Sequence, residues 1–333
     1  SKPAIPPIPG IAEVESWTTH DIISAETLPG SLTILGGGAV GCELAQLLST
    51  FGVKVTVVEG RDRLLPGEEP EASALVAEAF AAEGISVHVG VMAESVTGGA
   101  GAITVKLSDG AEVASERLLV ATGRTVDTSE LGLEAAGIDS SSRFIDVDDR
   151  LRAAEGIWAI GDVTGKSMFT HVAVRHAAVV AAEILGEPIA PMRYDAVPRV
   201  TFTMPEIGSV GMTEAQAREA GIDVAVAVKQ LPATFRGWIH GSGNAGFIKL
   251  VVDREQGHIV GATAAGPQGG EVLGMLALAT HAKLPLEELR SMIYPFPTFG
   301  GGIGEAIGAA GRGVTTVLDP EYQGIQELDS VGK

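Results

Sequence analysis

The segment Leu32-Thr-Ile-Leu-Gly-Gly-Gly-Ala-Val-Gly-Cys-Glu-Leu-Ala45 constrains this chain more than any other stretch. An aliphatic strand pattern runs into Gly36-Gly37-Gly38-Ala39-Val40-Gly41, and a helical pattern starts at once. A second apolar strand, Val53–Val58, ends on Glu59, 18 residues past Gly41. Strand, glycine turn, helix, strand and terminal acid make a βαβ unit with a dinucleotide fingerprint. Gly36 serves the tight turn, Gly38 a close approach of backbone to pyrophosphate, and Gly41 close packing of helix on strand. The helix N-terminus supplies unpaired N–H groups and partial positive charge. Glu59 is placed to accept hydrogen bonds from a ribose hydroxyl pair and would repel a 2′-phosphate.

The remaining bulk properties narrow the class. A chain of 333 residues suits two or three domains. The 45% hydrophobic content and 44 glycines fit a tightly turned α/β protein and not a disordered one. A formal net charge of −19 argues against nucleic acid or an anionic membrane as partner. No apolar run approaches the roughly 18 residues that span a bilayer. The proline-rich opening lacks the apolar core of a secretory leader. A single cysteine excludes an internal disulfide and a cysteine zinc cluster, and no metal site is expected. A cytoplasmic protein is the simplest expectation.

Along the chain, residues 1–28 read as an extended proline connector, the remnant of a preceding domain, with a short helix around Asp21–Glu26. Residues 29–124 read as one nucleotide-binding domain. Its expected elements include a helix over Glu71–Glu83 and a strand at Ile85–Val89. A hairpin is expected around Asp109-Gly110, and a further strand over Arg117–Gly123. Residues 125–190 change character, with a strand over Gly156–Asp162 and a helix over Phe169–Leu185. Residues 191–311 alternate short strands (Arg199–Thr203, Gly246–Val252, His258–Ala264) with helices (Thr213–Ala220, Gly270–His281, Leu286–Ser291), an α+β rhythm. Residues 312–333 have little periodicity and read as a mobile tail.

Five segments in order carry a family resemblance. They are Ser1-Lys-Pro-Ala-Ile-Pro-Pro-Ile-Pro-Gly10, Gly36–Glu43 with Glu59, Ala121-Thr-Gly-Arg124, Trp158-Ala-Ile-Gly-Asp162, and Pro198–Glu206 with Val210–Glu214. Together the chain resembles the pyridine nucleotide–disulfide oxidoreductases, the flavoproteins that include dihydrolipoamide dehydrogenase, glutathione reductase and mercuric reductase. The resemblance implies an α/β fold: a Rossmann-like NAD-binding domain, part of a FAD-binding domain, and a C-terminal α+β dimerisation domain. It also implies that the family's first glycine fingerprint and Cys-x4-Cys redox pair lie outside this sequence, so that the chain is expected to be a fragment of a longer parent.

Site residues follow from the same match. Gly36, Gly37, Gly38, Ala39, Val40 and Gly41 would cradle the NAD pyrophosphate. Glu43 matches the family glutamate near the nicotinamide carboxamide, the alternative being a solvated helix acid. Ala39 stands where several members carry a bulky aromatic lid, which would leave the nicotinamide pocket open. Glu59 matches the acid of NAD-preferring members, although Arg61 and Arg63 lie close enough to bind a phosphate, so NAD(H) is favoured over NADP(H). Gly123 matches a glycine lining the nucleotide pocket, and Asp162 the aspartate that binds the ribitol of FAD. Met168, Phe169, Thr170 and His171 match the segment under the flavin ring, with His171 equally readable as a core histidine.

One departure bears on chemistry. Disulfide reductases of the family carry a histidine general acid–base before Pro-Thr and a glutamate five residues on, contributed across the dimer. Here Ile293-Tyr-Pro-Phe-Pro-Thr298 puts Phe296 at the histidine position and Gly301 at the glutamate position. Phenylalanine moves no proton, and the Tyr294 phenol, with a reference pKa of about 10, is a poor base. Cys42 lies in the fingerprint helix and reads as buried packing. No catalytic residue is therefore assigned. The reading is a fragment of a FAD-dependent NAD(P)H oxidoreductase, homodimeric, passing hydride from NADH to flavin and on to a disulfide or another small-molecule acceptor. The alternatives are an NADH:quinone-type reductase without disulfide chemistry, and a non-catalytic NAD-binding and dimerisation module.

Overall fold

Leu32, Ile34 and Leu35 are all buried because the strand Ser31–Leu35 lies inside a parallel sheet covered on both faces. In the computed structural model, which describes residues 1–99 and 101–311, this sheet has five strands. Their order is Ser16–Trp17, Arg117–Val120, Ser31–Leu35, Lys54–Glu59 and Ser86–Val89, every pair parallel. The fingerprint helix Ala39–Thr50 buries Cys42, Ala45 and Leu48. The helix Pro70–Ala82 opens on proline at its first position, where the missing N–H costs no bond, and anchors Phe80 in the same core. An antiparallel meander of Ala93–Gly99, Ala102–Leu107 and Glu112–Ser115 follows. It is fastened to the parallel sheet by the buried Thr33 hydroxyl, which donates to Ser115 Oγ at 2.8 Å.

The C-terminal sheet belongs to the same compact unit, which comprises, among the described residues, 5–122 and 198–311. Its strands run antiparallel in the order Pro198–Thr201, Glu206–Gly211, His258–Gly266, Phe247–Asp253, Val224–Gln230. The helix Gly269–Ala282 lies tight on it: a Cβ at Gly269 would stand 2.6 Å from the Ala264 carbonyl oxygen. At the seam between the two sheets, Lys249 is buried with its Nζ at 3.0 Å from Glu69, 2.7 Å from Glu71 and 3.1 Å from Glu214. Nearby, Arg199 Nε reaches Glu68 at 3.1 Å.

The second unit comprises Ser1–Ala4 and residues 123–197. Lys2–Pro3 pairs antiparallel with Arg124–Thr125, and the Ala4 amide donates to Gly123 O at 2.9 Å. Its helix Thr170–Leu185 ends at the left-handed Gly186 (φ 69°) and packs Val179 against Leu151 and Met192.

Several elements depart from the sequence expectations. The first helix is Thr19–Ile23, because Thr18 and Asp21 form a capping box that makes Asp21 the third helical residue and not the first. Only Ser1–Ala4 joins the second unit, while Ser16–Trp17 adds a strand to the nucleotide sheet. The strand expected over Gly156–Asp162 is just Ile157–Trp158, and Gly161–Thr164 is a 3₁₀ turn entered at the left-handed Gly161 (φ 72°). Strands Ala93–Gly99, Glu206–Gly211 and Val224–Gln230 and helices Phe235–His240 and Gly301–Gly311 were not anticipated. Residues 312–333, the expected tail, lie outside the described residues.

Candidate functional site

The glycine turn is closed by backbone packing. The Gly36 amide donates to Val58 O at 2.8 Å, and its φ of 107° places any Cβ 2.5 Å from the Ala121 carbonyl oxygen. A Cβ on Gly41 would meet the Gly36 oxygen at 1.9 Å, so the helix can approach the strand only without side chains there. Gly38 is the helix N-cap, with no side-chain cap bond and no atom within 4 Å of an ideal Cβ. The first helical amides, those of Ala39 and Val40 among them, have no carbonyl one turn back to receive them. The turn is thus an open, electropositive cradle.

Glu59 completes it. Its Oε2 accepts the Gly37 amide at 2.6 Å and its Oε1 accepts the Arg61 amide at 2.7 Å. Two backbone donors fix the carboxylate, and an ionised carboxylate keeps further lone pairs for ligand hydroxyls. Gly37 is glycine because Leu64 and Glu59 close over it, with a Cβ there 2.7 Å from Leu64 Cδ2. The Gly37 carbonyl takes the Leu65 amide at 2.8 Å and the Cys42 thiol at 3.3 Å. Burial, with the charges of Glu59 and Glu43, pushes that thiol up to about 12, so Cys42 is a packing residue and no nucleophile.

Beside the acid lies a cleft of about 510 Å³, lined by Pro6, Pro7, Ile8 and Pro9, the strand ends Leu35 and Val58, Glu59–Arg61 and Val91–Ala93. Apolar walls and a fixed carboxylate fit the adenosine half of a dinucleotide. The sequence reading missed this use of the proline tract and of residues 91–93, since neither carries a motif. Arg63 is committed elsewhere, donating to Pro66 O at 3.0 Å, which leaves Arg61 as the cleft's arginine.

Glu43, one turn into the fingerprint helix, accepts the Phe202 amide at 2.8 Å through Oε1. Burial holds its carboxyl above the usual range, and that one amide only partly offsets the effect. Gln46, on the same face, exchanges two bonds with Met204, accepting its amide at 2.6 Å and donating to its carbonyl at 2.8 Å.

In the second unit, Asp162 is the second residue of the 3₁₀ turn and receives the Ser1 hydroxyl and, at 3.5 Å, Arg124 Nε, both at Oδ2. A carboxylate has lone pairs enough on its two oxygens to accept from further hydroxyl donors, as a polyol ligand would require. Gly123 (φ 125°) has open space about its Cβ position. Phe169 is the N-cap of the following helix and stacks on His171 at 5.2 Å with rings 17° apart. Thr170 and His171 are exposed, Met168 and Phe169 half-buried. His171 is thus no core histidine, whereas His176 in the same helix is buried.

At the C-terminal position, Phe296 is exposed and tilts against Phe235 at 4.8 Å. Tyr294 donates its hydroxyl to Leu289 O at 2.8 Å, and burial raises its pKa further, so it is not poised as a base. Among the described residues no cluster of His, Cys, Asp or Glu could hold a metal, and no helix is long and apolar enough to cross a membrane.

Comparison with known proteins places this arrangement. A family model described as pyridine nucleotide-disulphide oxidoreductase matches residues 1–177, and the dimerisation-domain model of the same family matches residues 197–307. The chain belongs to the pyridine nucleotide–disulphide oxidoreductase family. It is 37% identical over 313 residues to a dihydrolipoyl dehydrogenase of Haloferax volcanii, covering 90% of this chain and 65% of the relative. It is also 37% identical over 303 residues to a mercuric reductase of Streptomyces lividans, covering 90% of this chain and 64% of that one. The chain therefore spans just under two thirds of the length of these relatives. Among solved structures, an HOCl-induced flavoprotein disulfide reductase, RclA of Escherichia coli, superposes with a TM-score of 0.82 at 31% identity, over 92% of this chain and 71% of that one. LpdA of Mycobacterium tuberculosis gives 0.81 at 30% identity, over 88% and 64%.

Proposed function

We propose that this chain is the NAD-binding, flavin-contacting and dimer-forming part of a FAD-dependent NADH oxidoreductase, cytoplasmic and homodimeric through residues 191–311. The observation that carries the reading is Glu59, held by the amides of Gly37 and Arg61 at the edge of the 510 Å³ cleft. Residues 36–41 would bind the pyrophosphate and Glu59 the adenosine ribose hydroxyls, with NADPH disfavoured by charge repulsion. Glu43 would hold the nicotinamide carboxamide through its second oxygen. Asp162 and Gly123 would bind FAD, with Met168, Phe169, Thr170 and His171 beneath the flavin. When bound, the pair of cofactors supplies hydride transfer, and the chain's own work is binding, orientation and water exclusion. The test is equilibrium titration of the intact protein with NADH and NADPH, followed by anaerobic flavin reduction. Preferential NADH binding with rapid bleaching of the flavin is expected, and equal affinity for both nucleotides would remove Glu59 from its role.

Two observations favour an acceptor other than a disulfide. Phe296 cannot transfer a proton, and Tyr294 is occupied by Leu289 O. A quinone or similar diffusible acceptor needs neither. Efficient turnover of lipoamide by the intact protein would overturn that reading, while turnover of a quinone alone would uphold it. A non-catalytic NAD-binding and dimerisation module would show nucleotide binding and a dimeric mass with no flavin reduction.

A further inference from the structure

His176, in the helix Thr170–Leu185, is fully buried and makes two directional contacts. Its Nδ1 receives the Gly161 amide at 3.0 Å. A backbone N–H can only donate, so Nδ1 carries no proton and the neutral ring is protonated on Nε2. Nε2 faces the Tyr194 hydroxyl at 2.8 Å, which therefore accepts, and the two rings meet edge-on at 83°. Gly161 is gripped from its other side as well, because the Thr164 hydroxyl donates to its carbonyl at 2.8 Å. Both polar groups of this buried, left-handed residue are thereby fixed by side chains. The next residue is Asp162.

We propose that His176 is a positioning residue for Asp162: by holding the Gly161 amide it sets the direction in which the Asp162 carboxylate leaves the turn. The inference rests on the reading that Asp162 binds the polyol of FAD. A core histidine kept only for its volume would be replaceable by leucine. Leucine here would leave the Gly161 N–H buried and unpaired, and the turn would relax to find another acceptor. Burial keeps His176 below and Tyr194 above their ordinary pKa values, so both are neutral at pH 7.

The test uses the intact protein with its cofactor and the same protein after the cofactor is stripped. Nitrogen-15 NMR of the stripped protein is expected to show His176 as the neutral Nε2–H tautomer, and an Nδ1–H tautomer or an imidazolium at pH 7 would overturn the proposal. His176→Asn presents an amide oxygen close to the place of Nδ1, whereas His176→Leu presents none. His176→Leu is expected to weaken FAD binding about tenfold and His176→Asn less than about threefold, a gap of about one hydrogen bond. Equal weakening in both, tracking their loss of thermal stability, would leave His176 a packing residue. Should the wild-type protein bind no FAD, the Asp162 reading fails on its own. Faster exchange of the Gly161 amide in His176→Leu but not in His176→Asn would still uphold the positioning role, and unchanged exchange in both would end it.

Discussion

Glu43 and Phe202 join the nucleotide helix to the C-terminal sheet through a single hydrogen bond, the Phe202 amide donating to the Glu43 carboxylate at 2.8 Å. A residue matched to cofactor binding therefore also ties down a loop 159 residues away in sequence. Replacing Glu43 by alanine is expected to cost about 1–3 kcal/mol, the usual range for a lost charge-assisted bond, read as a lower urea midpoint. Glu43→Gln, which keeps an acceptor, is expected to lose less.

The same carboxyl gives a pH dependence of definite sign. Burial raises its folded-state pKa above the ordinary value of 4.5, so the folded protein holds this proton more tightly than the unfolded chain. Its contribution to stability is full below 4.5 and is lost as pH rises through the raised folded value. Unfolding midpoints of the wild type relative to Glu43→Gln are expected to fall across that interval. A difference that rises with pH instead would show that the Phe202 amide, and not burial, governs the group.

Alanine at the glycine turn separates folding from binding. Gly41→Ala would place a methyl 1.9 Å from the Gly36 oxygen and is expected to abolish or severely weaken folding. Gly38→Ala meets no atom within 4 Å and sits in an extended N-cap conformation. Its thermal midpoint is expected to match the wild type, while NADH affinity drops because the methyl occupies the approach to the helix N-terminus. Calorimetry and a fluorescence titration on the same samples check both halves.

Removing Glu59 strips the Gly37 and Arg61 amides of their acceptor and, on the proposed reading, the nucleotide ribose of its own. Glu59→Ala is expected to weaken NADH binding roughly tenfold or more, at about 1.5–3 kcal/mol for bonds to a charged group. NADPH binding is expected to fall less, or to gain, because a like charge has gone. A parallel fall for both nucleotides would mean that the carboxylate matters only for loop shape.

Lys249 lies within bonding distance of Glu69, Glu71 and Glu214 at once. Burial alone would lower its pKa, yet Glu71 and Glu69 hold it above the ordinary lysine value. Lys249→Met is expected to destabilise by about 3–5 kcal/mol, since Glu69 and Glu71 lose their counter-charge while Glu214 keeps Arg218 at 2.9 Å. Glu71→Gln, removing an acid whose other oxygen lacks a partner, is expected to cost far less. Chemical denaturation of both variants checks the ordering.

The local sequence determined what local physics controls. The fingerprint turn and the acid at Glu59 follow from residue types at fixed spacing, because turn geometry and helix ends are satisfied within a few residues. The strand expected over Gly156–Asp162 is cut to Ile157–Trp158, and beyond it the His176 ring, from the following helix, and the Thr164 hydroxyl bind both polar groups of Gly161 and hold the backbone in a turn. Strands such as Val224–Gln230 escaped notice because a continuous apolar run shows no alternation when both faces are buried. The cleft beside Glu59 draws on residues 6–9, 35–36, 58–61 and 91–93, which no motif links. Spacing could place the acid near a ribose. Only the fold could supply the walls of its pocket, the two amides that aim it, and the occupation of Glu43 by Phe202, because each needs groups that are distant along the chain and adjacent only after packing.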